Sequence, residues 1–348
     1  MYQSPHHGNS FLSFGGFAGG WKKLGSIAAD ESSLELTNIP NKRYYKFLFH
    51  TDAAADYLDQ IRLGSGAADL GQNYAWRRSL NDATENSATN QTSVAVSGFS
   101  DSAPHYGYGF IANHPTYEKS IINYAMTAAG AGSGITPQRS MTGGKWSNLQ
   151  NALDVLRLTT ASATDYTGSE LVLLGWDPTD IHTDNFYQEL ANSTLAEQTE
   201  THDVILSSSP KYLWFEWYGS IVGSSTLPLY IQTGDGTDGF DTGNNYSVRE
   251  AINGQTDLTF TNTTRLRIDN TDTTPIYLVG FAVNVGNNEK LFIIHLNAVV
   301  NDATNTAVNR IEFVGKWSNT ENPIDRLRIG RANADVAAGS RWRVFGGN

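Results

Sequence analysis

The chain repeats itself. Shifted by 171 residues, Gly144-Lys145-Trp146-Ser147-Asn148 falls on Gly315-Lys316-Trp317-Ser318-Asn319 without a gap. The same shift pairs Gly109-Phe110 with Gly280-Phe281, Asn113 with Asn284, Glu118-Lys119 with Glu289-Lys290, and Arg139 with Arg310. Further on it pairs Asp154 with Asp325, Leu156-Arg157 with Leu327-Arg328, and Gly168-Ser169 with Gly339-Ser340. Of the 67 pairs from Gly109 to Gly175, 21 are identical. Upstream the match continues with small shifts. Arg43-Tyr44-Tyr45-Lys46-Phe47 sits on Lys211-Tyr212-Leu213-Trp214-Phe215, Tyr74 on Tyr246, Arg77 on Arg249, and, loosely, Trp21 on Tyr187. A repeat this long calls for two similar domains, since a solenoid needs shorter and more numerous units. The expected layout is an N-terminal arm over 1–20, a first unit over 21–176, a linker and opening of the second unit over 177–203, and a second unit over 204–348.

Within a unit the periodicity is that of strands. Apolar residues alternate in Leu34-Glu35-Leu36, Tyr45-Lys46-Phe47-Leu48-Phe49, Leu156-Arg157-Leu158, Leu229-Tyr230-Ile231, Leu327-Arg328-Ile329 and Trp342-Arg343-Val344. Turn clusters such as Gly64-Ser65-Gly66 and Gly234-Asp235-Gly236 stand between them. Charged residues are 17% of the chain, below the usual quarter, as suits short strands joined by polar turns. The predicted fold is all-β: two tandem duplicated antiparallel β-sandwiches, jelly-roll-like, behind an arm. Helix is expected only over 148–153 and 185–199. Residues 80–104 read as long loops around a short strand at 93–96.

Several function classes drop out. The chain has no Cys, which removes disulfides, thiol nucleophiles and thiolate metal sites. A net charge of -11 without a basic run disfavours nucleic acid. Nowhere do 18 apolar residues run together, and no export signal or membrane insertion is expected.

The elements of each unit resemble a β-sandwich domain of tailed-bacteriophage virion structural proteins, many of them marine. They are the opening Trp21-Lys22-Lys23-Leu24-Gly25-Ser26, the tyrosine-rich strand at 44–49, the hairpin at 64–74, Gly144-Lys145-Trp146, Leu156-Arg157-Leu158, and the Gly168-Ser169 close. The second unit reproduces all but the first. The resemblance implies a non-enzymatic virion component, assembled in the host cytoplasm and self-associating as a trimer. Its leading version is a tail-associated attachment protein contacting host surface glycans. The alternatives are a capsid decoration protein cementing the head lattice and a polysaccharide depolymerase.

No catalytic, metal or cofactor residue is assigned. Asp235, Asp238 and Asp241 invite a calcium reading but miss EF-hand spacing, and a hairpin loop explains them more simply. His6-His7 lie in the arm and read as solvated or partner-contacting rather than as ligands. Glu118 and Glu289, each followed by Lys, read as salt-bridged strand ends. Trp146 and Trp317 read as core anchors. In Trp214-Phe215-Glu216-Trp217-Tyr218 one face must be core, which leaves Trp214 and Tyr218 for a subunit or a sugar ring. Phe11, Phe14 and Phe17, interleaved with glycines, suit an arm that docks on other virion proteins.

Overall fold

The computed structural model describes residues 20–348 apart from 54, 56, 82, 84, 100, 162–164, 181–182, 224–226, 238, 270–274 and 299–306. The first half carries β1 (Lys22–Ala29), β2 (Ser33–Leu36), β3 (Tyr44–Thr51), β4 (Asp59–Ser65), β5 (Ala67–Ala68), β6 (Tyr74–Leu80) and β7 (Asn86–Gln91). It continues with β8 (Val94–Ala95), β9 (His105–Ala112), β10 (Lys119–Thr127), β11 (Gln138–Trp146), β12 (Val155–Thr160) and β13 (Ser169–Trp176). The second half carries β14 (Gln188–Thr194), β15 (Thr201–Ile205), β16 (Tyr212–Gly219), β17 (Ile221–Val222), β18 (Leu229–Asp235), β19 (Gly239–Phe240), β20 (Tyr246–Ile252) and β21 (Leu258–Thr263). It ends with β22 (Leu266–Ile268), β23 (Ile276–Val283), β24 (Lys290–Ala298), β25 (Asn309–Trp317), β26 (Arg326–Arg331), β27 (Asp335–Val336) and β28 (Arg341–Gly347).

Each half is an antiparallel two-sheet sandwich, and the strand order recurs. The large sheets run β1-β13-β3-β9-β10-β11-β6-β7 and β14-β28-β16-β23-β24-β25-β20-β21. The small sheets are built on β2-β12-β4-β5 and β15-β26-β18-β19, with β8 and β22 pairing β4 and β18. Even the irregularities correspond. A register shift between Lys23 and Gly25 against β13 matches one between Glu189 and Ala191 against β28. The inner faces of each pair of sheets form a core. Phe47, Phe49, Ile61 and Trp146 fill the first; Phe215, Trp217, Ile231 and Trp317 fill the second.

Two glycines shared by the repeat make room for that core. A Cβ on Gly109 would lie 2.3 Å from the ring of Phe47, and one on Gly280 would lie 2.2 Å from the ring of Phe215. The strand next door can therefore lay its aromatic ring across a bare backbone.

There is no helix among the described residues. Residues 148–153 form a loop in which the Asn148 side chain accepts from the backbone N–H of Gln150 and Asn151. Within 185–199 lies the edge strand β14, whose polar outer face hides its alternation. The stretch 80–104 holds a strand, β7, in addition to β8. Asn-Ser-Ala-Thr-Asn-Gln is polar on both faces, so period-two reasoning passed over it. β14 lies inside 177–203 and β15 begins there, and they pair with β28 and β26 of the second sandwich.

Candidate functional site

Most recurring polar residues hold turns. In both hairpins an aspartate closes a corner. Asp69 accepts from Gly71 N, Asn73 Nδ2 and Trp146 Nε1, at 2.8, 2.9 and 2.7 Å. Asp241 accepts from Gly243 N, Asn245 Nδ2 and Trp317 Nε1, at 2.7, 2.8 and 2.6 Å. Burial raises the Asp69 pKa, but the bonds from Trp146, Asn73 and Gly71 outweigh it and leave the carboxyl below its ordinary value. Asn113 and Asn284 each tie the loop before the tyrosine-rich strand to the loop before β12 or β26. Lys119 and Lys290, both buried, donate to the carbonyls of Asn148 and Asn319. Arg157–Glu35 and Arg328–Asp203 brace equivalent points of the small sheets. Glu118 pairs with Lys145 and Glu289 with Lys316.

The outer faces of the two large sheets meet. Leu48, Tyr106, Tyr108 and Met126 of the first sandwich pack against Tyr212, Phe281, Leu291 and Ile293 of the second. Trp214 belongs to this joint: its ring lies 6.2 Å from that of Phe281 and 5.1 Å from that of Phe345. Tyr218, four residues on along the same face, is 56% exposed. Phe11, Phe14 and Phe17 lie outside the described residues, as do His6, His7 and Asp238.

Lys46 sits in the same joint, 2% exposed. Its Nζ lies 4.3 Å from the ring centre of Phe281, 4.7 Å from Tyr187 and 5.9 Å from Trp214. Rings supply its surroundings, and no salt bridge to a described carboxylate offsets its charge. Burial pulls its pKa from 10.5 to about 7. Its counterpart in the second sandwich is Trp214, so the amine is not a requirement of the fold.

A buried polar network is equally specific to the first sandwich. His105 Nδ1 is 2.6 Å from Asp59 Oδ2, and its Nε2 is 3.1 Å from Asp101 Oδ1. Tyr57 stacks on the imidazole at 4.2 Å, and Tyr166 donates its hydroxyl to Asp59. Burial alone would lower the His105 pKa; the two carboxylates outweigh it and raise the pKa to about 9. At the register positions of His105, Asp59 and Thr127 the second sandwich has Ile276, Leu229 and Ala298. Sequence reasoning missed Lys46 and this network. An isolated Lys on an aromatic strand and a His replaced by Ile between repeats were the available signals.

Two openings among the described residues carry polar linings. One, of about 440 Å³, lies between the sandwiches and is lined by residues including Asp52, Asp101, Asn288, Glu289 and Thr320. The other, of about 280 Å³, lies on the second sandwich alone, beside the Gly/Asp hairpin. Its walls include Asp235, Phe240, Thr242, Asn245 and Asn319. The guanidinium of Arg328 lies 3.9 Å over the Phe240 ring. Register places Ser65 and Ala68 of the first sandwich where Asp235 and Phe240 stand, so this combination occurs once. Among the described residues no group of three His, Cys, Asp or Glu side chains is arranged to hold a metal ion.

No protein-family model matches the chain. No curated protein matches it either. Among solved structures it matches the mouse laminin alpha1 chain, domains LG4-5, at 11% identity over 99% of this chain and 95% of that one, with a TM-score of 0.20. So low a score leaves the fold to be judged from the strands themselves. On that ground the chain is an all-β protein of sandwiched antiparallel sheets.

Proposed function

We propose that this protein is a non-enzymatic structural component of a tailed-phage particle, tail-associated, that contacts host surface glycans through the second sandwich. The observation that carries the reading is the 280 Å³ opening beside the Gly/Asp hairpin. It joins an aromatic ring, two carboxylates, amides and a hydroxyl on a turn clamped by Trp317. That set suits a sugar, which offers hydroxyls to polar groups and an apolar face to a ring. The recurring carboxylates and lysines hold turns and carbonyls or pair with one another, which fits a scaffold better than a hydrolase. Paired carboxylates for glycosidic cleavage would have to face each other across open space.

The test is adsorption of particles carrying Thr242→Arg, which fills the mouth and leaves the Asp241 clamp untouched. Binding of the purified chain to host polysaccharide is read in parallel. At least a tenfold loss of both, with an unchanged melting temperature, is expected. Unchanged adsorption overturns the glycan assignment. A copy number matching the major capsid protein overturns the tail assignment and makes this a decoration protein.

A further inference from the structure

The joint between the sandwiches is lopsided. Arg139 of the first donates to Asp257 at 2.7 Å and to Glu312 at 2.9 Å, and Asp257 also pairs with Arg249 at 3.3 Å. Lys316 donates to the carbonyls of Ala128 and Gly130, while its partner Glu289 accepts from Gly132 N at 2.6 Å. The second sandwich thus receives the first with two ion pairs, Arg249–Asp257 and Glu289–Lys316.

The first sandwich carries the same two pairs. Arg77–Glu85 stands at the register position of Arg249–Asp257, and Glu118–Lys145 at that of Glu289–Lys316. Here they are open to solvent. Arg77 and Glu85 are 67% and 58% exposed, whereas Asp257 is 1% exposed. Lys145 and Glu118 are 48% and 40% exposed, against 0% and 8% for Lys316 and Glu289. The donor side mirrors this. Tyr106, Met126 and Arg139 form a cross-strand row turned into the joint, and the matching row Tyr277, Asn297 and Arg310 faces solvent.

We infer that this open face of the first sandwich binds the second sandwich of another copy of the chain, head to tail, with Arg310 reaching the Arg77–Glu85 pair. The contact continues the design of the internal joint. Charges surround apolar side chains on both partners: Ile122 and Met141 on one, Tyr218 and Tyr277 on the other. Exposed ion pairs stabilise a lone sandwich little, so fold stability does not account for their repetition. Several positions differ: Glu312, the second acceptor of Arg139, corresponds to Met141, Leu291 to Ser120, and Leu48 and Met126 to Glu216 and Asn297. Glu170, which meets Lys211, is replaced by Arg341, and Arg43 stands in place of Lys211; Asp177, bonded to Arg43 N, supplies the anion there. A head-to-tail contact closes into a ring or runs on as a fibre. The inference is independent of what the hairpin opening binds.

The test is sedimentation of the full chain over a concentration series at low and high salt. The mean mass is expected to reach at least twice that of the 38.0 kDa chain and to fall with salt. Arg310→Ala, which puts no new anion beside Glu312 3.4 Å away, and Glu85→Lys, both at exposed side chains, should each remain monomeric with unchanged circular dichroism. Mixed one to one, they should form a dimer and nothing longer, since one supplies the intact donor and the other the intact acceptor. A parent chain that stays monomeric, or variants that associate as the parent does, would overturn the inference. Loss of glycan binding without loss of association would instead bear only on the hairpin opening.

Discussion

The indole Nε1 of Trp317 donates to Asp241 Oδ2 at 2.6 Å, and Trp146 repeats the bond to Asp69 at 2.7 Å in the other sandwich. Each aspartate also gathers a backbone N–H and an asparagine amide, so one carboxylate fastens a hairpin to the far end of a sheet. Asp241→Ala removes three acceptor contacts and leaves an indole N–H without a partner. The expected cost is about 2–3 kcal/mol in denaturant unfolding, with a similar cost for Asp69→Ala. The Asp69 carboxyl lies below its ordinary pKa when folded, so its contribution is present above the unfolded value and is lost as pH falls through the folded one. An Asp241→Ala chain as stable as its parent would show that the bond is incidental.

Lys46→Met should stabilise the protein. The folded pKa of about 7 lies below the ordinary 10.5, so below pH 7 the amine is charged in both states and the folded chain bears the full cost of burying it. Between the two values the unfolded chain binds the proton more tightly, and parent stability rises with pH. The gain from Lys46→Met should therefore be on the order of 2–4 kcal/mol at neutral pH and shrink toward pH 10.5. Thermal melts of both chains across that range test it; a gain that does not change with pH would point to packing alone.

The His105 network runs the other way. Its folded pKa is raised to about 9, so its stabilisation is complete below 6.5 and lost as pH rises through 9. His105→Ile alone strands Asp59 in the core and should cost roughly 3–5 kcal/mol. Adding Asp59→Leu copies the second sandwich and should recover most of that. If the double variant is as unstable as the single one, the two sandwiches pack differently around this point.

Gly280→Ala places a methyl group 2.2 Å from the Phe215 ring. A loss of roughly 1–3 kcal/mol is expected, and Phe215→Leu in the same chain should recover part of it. Unfolding midpoints of the single and double variants decide the matter.

The fold was legible because repetition and alternation are backbone properties. Phe215 and Trp217 had to share a face, and both are fully buried. The strand β7 was not legible, since an edge strand polar on both sides has no period to read. Tyr218 could be placed on the outer face, but which half of that face the other sandwich covers depends on contacts between residues far apart in the chain. Asp59 and His105 meet across 46 positions, and no local pattern announces such a pair.

β13, the last strand of the first sandwich, lies between β1 and β3 in the large sheet. During synthesis the first sandwich therefore cannot close until residue 176 has emerged, and once closed it waits for a partner not yet made. Its future joint face, with Tyr106, Tyr108 and Met126, is then bare and liable to stick to neighbouring nascent chains. On that bare face Lys46 is in water, where an amine keeps its ordinary charge. The cation that costs stability in the finished molecule would work against aggregation of the half-made one.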